Sequence, residues 1–296
     1  MTDSVPRSIQ EYLDRLRAEL AGADPALIQD ALYDAEEYLR GELHDHPQRT
    51  EEQVLAAIAT SYGAPDEVAE AYRTTEAKVQ TALRTPRPKK RSSVPGRFFG
   101  VLADPRAYTS LFYLLLSLAT GIFYFTWVVA GTALSFGLIP LMLIGIPFAL
   151  LFLGSVRMLS LVEGRIVEAL LGVRMPRRPP HPGGSTSLFV HIKNMLVDPR
   201  TWSTFLYMLL QLWLGMLYFT LVVAWLVVSL TLILSPLSHI WGGLVYFNGP
   251  VVISWFFTPV CIFIGIVLLV SLMHAVRGIG YIHGHIAKGL LVRLGD

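Results

Sequence analysis

Histidines and carboxylates are the residues of this chain that could do acid–base or metal chemistry, and their spacing suits neither. His283-x-His285 and His44-x-His46 pair two ligand-type side chains without a third partner in sequence, whereas protein metal sites take three or four. His239 and His274 lie in or beside apolar runs that hold no carboxylate. The single cysteine, Cys261, sits inside an apolar stretch, which excludes disulfides and cysteine-rich metal centres and leaves a packing role. No nucleophile is paired with a base. These residues predict no catalytic site, no cofactor and no bound metal. A sharper signal is Asp-Pro-Arg, present as Asp104-Pro105-Arg106 and again as Asp198-Pro199-Arg200. That triplet reads as an N-cap, a proline at the first helical position and an arginine at a membrane interface, with a signalling contact as the other reading.

The elements that carry these residues are set by charge. Of 296 residues only 16% are charged, against about 25% in a typical soluble domain. No Asp, Glu, Lys or Arg occurs from Ala107 to Val156, or from Thr201 to Val276. Each gap far exceeds the roughly 20 apolar residues that cross a hydrocarbon core. A backbone in lipid must satisfy its own hydrogen bonds, so these stretches are expected to be helical. Ion paths keep ionisable groups within the membrane, and apart from histidines and Gln211 the gaps have none, which counts against a pump.

The apolar half repeats. Leu102-Ala103-Asp104-Pro105-Arg106 returns as Leu196-Val197-Asp198-Pro199-Arg200, a shift of 94 that also carries Tyr113 onto Tyr207, Gly121 onto Gly215 and Tyr124-Phe125-Thr126 onto Tyr218-Phe219-Thr220. Further on the shift is 120, pairing Val156-Arg157 with Val276-Arg277, Gly164 with Gly284 and Leu170-Leu171 with Leu290-Leu291. The second copy therefore holds 26 additional residues between its two spans. Spans are predicted at about 108–135, 139–160, 202–234 and 252–275. Trp241, Tyr246, Phe247 and Trp255 mark the insertion, about 235–258, as an interfacial or re-entrant element or a lid at the hairpin tip. Lys and Arg cluster at 84–106, 157–200 and the C-terminus, so the positive-inside rule places both termini on the cytoplasmic face of the cytoplasmic (inner) membrane. Residues 161–173, 188–197 and 281–293 are amphipathic and are expected to lie on the inner membrane face, as relays or anchors.

Before the spans, caps and apolar periodicity predict four short helices. Ser8 with Glu11 and Thr50 with Gln53 form capping boxes, Asp24-Pro25 opens a helix, and Gly63 with Pro65 breaks the chain before the last one. The expected fold class is all-α, a small helical domain followed by a four-span bundle of two tandem two-helix repeats. Boundaries are expected at 1–75, a basic Pro-rich linker 76–97, a first hairpin 98–175, a Pro/Gly-rich linker 176–187 and a second hairpin 188–296. The linker Pro86-Arg87-Pro88-Lys89-Lys90-Arg91 reads as facing anionic lipid headgroups rather than nucleic acid.

Residues 9–72 resemble the HAAS-type signalling domain of bacterial membrane proteins, through Glu11-Tyr12-Leu13, Asp34-Ala35-Glu36-Glu37 and Tyr62-Gly63-Ala64-Pro65 leading into Val68-Ala69. Tyr62 departs from the family's usual leucine. The resemblance implies a cytoplasmic interaction module linked with PadR-like regulators, with Tyr12, Leu16, Glu36, Glu37, Tyr62 and Pro65 as candidate partner-binding residues. Each membrane copy is similar to the sensor domain fused to many actinobacterial histidine kinases, through Tyr113, Leu143-Ile144-Gly145-Ile146-Pro147, Arg157, Glu163-Gly164-Arg165 and Leu170-Leu171-Gly172. The second copy departs, with Thr258-Pro259 for the Gly-Ile-Pro and His283-Gly284-His285 for Glu163-Gly164-Arg165. Together these resemblances imply a bacterial membrane sensor or regulator that transmits an envelope signal to a cytoplasmic partner. The alternative is a structural or accessory subunit of a transport or envelope complex. Expected partners are membrane lipids, a PadR-like regulator or a membrane-complex subunit, and a second copy of the chain. Direct nucleic-acid binding is not expected.

Overall fold

Ser8 caps the first helix, its Oγ accepting from the Glu11 amide at 3.1 Å, and the chain then runs in the order its caps and breakers dictate. The structure, a computed structural model, describes residues 6–58, 61–83, 93–138, 140–178, 197–241, 245–246, 250–251 and 254–292. Helices α1 (Ile9–Glu19), α2 (Pro25–Asp45), α3 (Glu51–Ile58) and α4 (Pro65–Leu83) form the N-terminal domain. Asp24 caps α2 through the Ala26 amide at 2.9 Å, and Thr50 and Gln53 exchange side-chain-to-amide bonds at 3.2 and 3.4 Å. In the first box the return bond differs. The Glu11 carboxylate takes the Arg7 amide at 2.8 Å instead of the Ser8 amide. Gly63 adopts a φ of +106°, which a residue with a Cβ holds only under strain.

The apolar stripes of these helices meet in one core around Leu16, Leu20, Ala31, Ala35 and Leu39, all fully buried. Leu16→Ala is expected to destabilise the domain by about 2–5 kcal/mol, the usual cost of emptying a buried leucine site. Loss of helical signal on heating the purified chain, against wild type, checks this. Helix α4 runs to Leu83, past the expected start of the linker at residue 76. The basic stretch Pro86–Arg91 lies outside the described residues.

After α5 (Val94–Phe99) and a 3-10 turn, four long helices build the membrane half: α6 (Pro105–Leu138), α7 (Met142–Leu171), α8 (Pro199–Ile233) and α10 (Thr258–Leu291). All four are long and apolar enough to cross a membrane. The fold is all-α, as expected, apart from two-residue strands β1 (Val245–Tyr246) and β2 (Pro250–Val251) that pair near the hairpin tip beside the one-turn helix α9 (Ser238–Trp241). Phe247, together with residues 179–196, lies outside the described residues.

One expectation is corrected here. Residues 161–171 and 281–291 are the last turns of α7 and α10, not separate surface helices. At about 1.5 Å per residue these helices reach about 45–50 Å, longer than a hydrocarbon core of about 30 Å. Their polar residues therefore belong to the bundle's own interior and end. Of the glycines in these turns, Gly164 and Gly284 let the chain after α7 pack closely, since a Cβ there would meet Met175 at 3.4 Å or Val173 at 2.6 Å.

Candidate functional site

Tyr113 and Tyr124 are eleven residues apart on α6, close to three helical turns at about 3.6 residues each, and so share one face. The repeat copies this spacing onto α8 as Tyr207 and Tyr218. Onto the same level α7 brings Glu163, and α10 brings His283, its equivalent at a shift of 120. Both side chains are fully buried. The six residues form one hydrogen-bonded cluster in the interior of the bundle.

Glu163 receives three phenols. Tyr113 and Tyr207 donate to its Oε1 at 2.7 and 2.9 Å, and Tyr124 donates to Oε2 at 3.0 Å. Those first two hydroxyls also lie 2.7 and 3.1 Å from His283 Nε2. A hydroxyl has one proton, so while both donate to Glu163 the imidazole must carry its proton on Nε2 and donate to them. Nδ1 is then free to accept from the Tyr218 hydroxyl at 3.3 Å. Gln211 Nε2 donates to the Tyr113 hydroxyl at 3.4 Å, whereas Gln211 Oε1 is buried without a partner. A carboxylate and an imidazole are thus joined through two tyrosine hydroxyls, with one acceptor beside them unfilled.

The cluster sits where the two repeats cross. A Cβ on Gly121 would stand 2.6 Å from the Gln211 carbonyl oxygen, and one on its repeat mate Gly215 would strike the Ser117 carbonyl. Only hydrogen at these positions lets α6 and α8 approach so closely. Further ties obey the same symmetry. Asp104 and Asp198 each cap their helix, accepting the Arg106 and Arg200 amides at 3.1 and 3.0 Å. The second oxygen of each holds the arginine of the other repeat: Arg277 on Asp104 at 2.8 Å, Arg157 on Asp198 at 3.2 Å. Asp198→Ala is expected to cost about 1–2 kcal/mol as a lost cap, and Asp198→Asn, which keeps the cap and loses the ion pair, less. Thermal midpoints in detergent compare the two.

The N-terminal domain is docked on the ends of three of the four long helices. Arg174, just past α7, binds Asp30 at 2.9 Å, Glu76 at 3.0 Å and Glu168 at 3.4 Å. Gly172, at φ +71°, closes α7 and turns the chain toward these carboxylates. Asp30 Oδ1 also accepts the Arg177 and Arg178 amides at 2.6 and 2.9 Å, and Arg178 Nε lies 2.9 Å from Asp34. Gln29 accepts from Arg200 at 2.8 Å at the start of α8, and Lys288 near the end of α10 pairs with Asp24. Burial pushes the Asp30 carboxyl above the ordinary carboxylate range, opposed by the two amides and Arg174. Relative to the solvated carboxyl of the unfolded chain, Asp30 thus holds its proton more readily in the assembled protein, and the stability this contributes is lost as pH rises through the raised value. A cleft of about 380 Å³ remains between the two parts, lined by Asp30, Asp34, Tyr72, Arg165, Arg174 and Arg178.

Comparison with known families bears on what this assembly is. Residues 113–291 match the family described as "Putative sensor". The chain belongs to this family. One match spans both hairpins of the sensor bundle, running from Tyr113 to Leu291, so it covers all six residues of the cluster. Residues 11–71 match the family described as HAAS. No curated protein and no solved structure matches the chain.

The residues singled out in the sequence are placed as follows. Tyr12 and Leu16 are interior to the HAAS domain, with the Tyr12 hydroxyl donating to the Gly63 carbonyl at 2.9 Å; they build the domain's core and offer a partner little surface in this fold. Pro65 is buried, Tyr62 stacks on Tyr38 at 4.4 Å between centroids, Glu36 is nearly buried and paired with Arg40, and Glu37 is exposed. Pro105 and Pro199 open α6 and α8 as expected. Trp255 is exposed and stacks on His239 at 4.2 Å. Of the histidine pairs, His283 is buried in the cluster while His285 is exposed and bonded to the Tyr281 carbonyl at 2.8 Å, so the two do not converge. Among the described residues no three of His, Cys, Asp and Glu group as metal ligands.

Sequence reasoning missed the cluster itself. Glu163 stands only six residues beyond Arg157 and reads as an exposed charge on an amphipathic stretch. The signal was present in the two repeat shifts, which keep both tyrosines at 94 and the acid–imidazole exchange at 120.

Proposed function

We propose that this membrane sensor reports the packing of its two hairpins to a binding partner through the docked HAAS domain. One observation carries the reading. The domain is not tethered loosely but held by ion pairs to the ends of α7 and α10 and by a hydrogen bond to the start of α8, the same helices whose interiors meet at Glu163 and His283. A shift of one repeat against the other moves Glu168, Arg174, Arg200 and Lys288 relative to one another, and the acidic face of α2 must follow or let go. Such a contact converts a change in helix packing into exposure of a protein surface.

The partner is proposed to be a cytoplasmic regulator of the PadR-like kind, reached through Glu37, Tyr62 and neighbouring surface. The basic residues along the bundle's domain-bearing end support a cytoplasmic placement of both termini in the inner membrane. The two hairpins are read as tandem copies of one ancestral unit, since caps, glycines, tyrosines and arginines all recur at the repeat shifts. No catalytic step is assigned to the chain. Affinity purification from native membranes, full-length chain against one lacking residues 1–84, with mass spectrometry of what co-purifies, tests the reading. A soluble DNA-binding regulator lost on truncation supports it. A transport ATPase or permease retained by both would instead make the chain an accessory subunit.

A further inference from the structure

We propose that Glu163 and His283, bridged by Tyr113 and Tyr207, form a binding site for a single proton, and that its occupancy sets how tightly the two repeats are held together. The proposal deepens the sensor reading above by naming what the bundle senses. Buried ionisable groups in a membrane bundle are costly and mark functional paths. Here an acid and a base occupy positions that the repeat shift makes equivalent, and both reach the same two tyrosine hydroxyls. Their connection is short, since one hydroxyl, Tyr113, lies 2.7 Å from each of Glu163 Oε1 and His283 Nε2.

In the empty site both bridging phenols donate to Glu163. Glu163 is a carboxylate with three donors, and neutral His283 donates from Nε2 and accepts Tyr218 at Nδ1. A proton delivered to Nδ1 lets the imidazole release its Nε2 proton to the Tyr113 oxygen, while Tyr113 passes its own proton to Glu163. The result is a neutral carboxylic acid donating to Tyr113, a Tyr113 hydroxyl now donating to Nε2, and an Nδ1–H facing Tyr218. One proton has been gained, one O–H bond formed on Glu163, the imidazole tautomer reversed, and every phenol left neutral.

The facing groups support this exchange, and Tyr207 offers a second path between the same two atoms. From α6 the site sees Tyr113 and Tyr124, from α8 Tyr207, Tyr218 and Gln211, and from α10 only His283. On α7 itself, Glu168 is engaged by Arg174 and Arg165 is exposed. No fixed cation lies among these partners to hold Glu163 charged. Gln211 Oε1, fully buried and unpartnered, is an acceptor beside the hydroxyl that the exchange reorients. Loading converts three charge-assisted bonds on Glu163 into neutral ones of about half the strength, which loosens α7 from α6 and α8.

Infrared difference spectroscopy of the full-length chain in lipid nanodiscs, between higher and lower pH, tests this. The expected result is a carboxylic-acid carbonyl band that appears on acidification, is missing in Glu163→Gln, and shifts in frequency in Tyr124→Phe. The Tyr124→Phe variant keeps Glu163, so it answers even where Glu163→Gln does not fold. A spectrum in which neither variant alters any carboxylic-acid band overturns the proposal. Hydrogen exchange at the Arg177 and Arg178 amides is compared between wild type and Glu163→Gln at each pH, so that the titration of Asp30, to which both amides donate, cancels. A Glu163 band with unchanged protection at those amides leaves the proton site standing and defeats the sensor reading instead.

Discussion

Gly121→Leu is expected to destabilise the bundle more than any other single glycine substitution in this series. The Cβ alone would stand 2.6 Å from the Gln211 carbonyl oxygen and 2.9 Å from Leu212 Cα, and both are backbone atoms of α8. Overpacking in a core usually costs about 1–3 kcal/mol because side chains rotate away. Here nothing can rotate, so relief requires moving α6 off α8 along their whole contact. That motion also parts the Tyr113 and Tyr207 hydroxyls, 3.4 Å apart, and opens the Glu163 cluster to whatever surrounds it. An expected loss of about 3 kcal/mol or more follows, at or beyond the top of that range. Gly121→Ala falls in between. Gly137→Leu is the control, because an added Cβ there meets nothing within 4 Å. Monodispersity after detergent extraction and the thermal midpoint read the series, and a Gly121→Leu chain that melts like Gly137→Leu would show that the helices do not cross as described.

Arg174→Ala is expected to release the HAAS domain while leaving the bundle folded. Its side chain, 11% exposed, is the shared partner of Asp30, Glu76 and Glu168, themselves 8–17% exposed. Removing one member of a buried ion-pair network strands the others and costs about 3–5 kcal/mol, more than the pair itself contributes. The cost falls on docking and not on folding, because Asp30 and Glu76 belong to the domain while Glu168 belongs to α7. Proteolysis and hydrogen exchange should show faster opening of α2 and of residues 174–178, with α6 and α8 unchanged. Arg174→Lys is expected to recover part of the loss, since an ammonium restores the charge but not the fork that spans three carboxylates.

Much of this architecture could be read before the structure. Charge-free stretches gave the four spans, because lipid admits no unpaired backbone and few charges. Caps and glycines gave the helices of the N-terminal domain, where local chemistry and tertiary packing agree. Asp104 and Asp198 were readable as caps, but each carboxylate has a second oxygen, and its use by the arginine of the other repeat is a tertiary fact. Glu163 was misread for a related reason. A charge near the end of an apolar run looks solvated when the helix is assumed to end at the lipid boundary, whereas α7 and α10 continue past it and keep packing. The clue available was pairwise: tyrosines three turns apart, twice, together with an acid and a histidine at one repeat position. Docking through Asp30 was beyond reach, because Arg174 lies 144 residues away and nothing local couples them.

The central claim is that the interior of the bundle and the docking of the HAAS domain are coupled. Hydrogen exchange of the full-length chain in nanodiscs, wild type against the Tyr113→Phe/Tyr207→Phe double variant, tests it most directly. The substitutions remove two hydroxyls inside the bundle and touch nothing at the docking surface. Faster exchange of the Arg177 and Arg178 amides, which donate to Asp30 at 2.6 and 2.9 Å, is the expected result. Unchanged protection there, in a variant whose bundle exchanges faster around Glu163, would contradict the coupling.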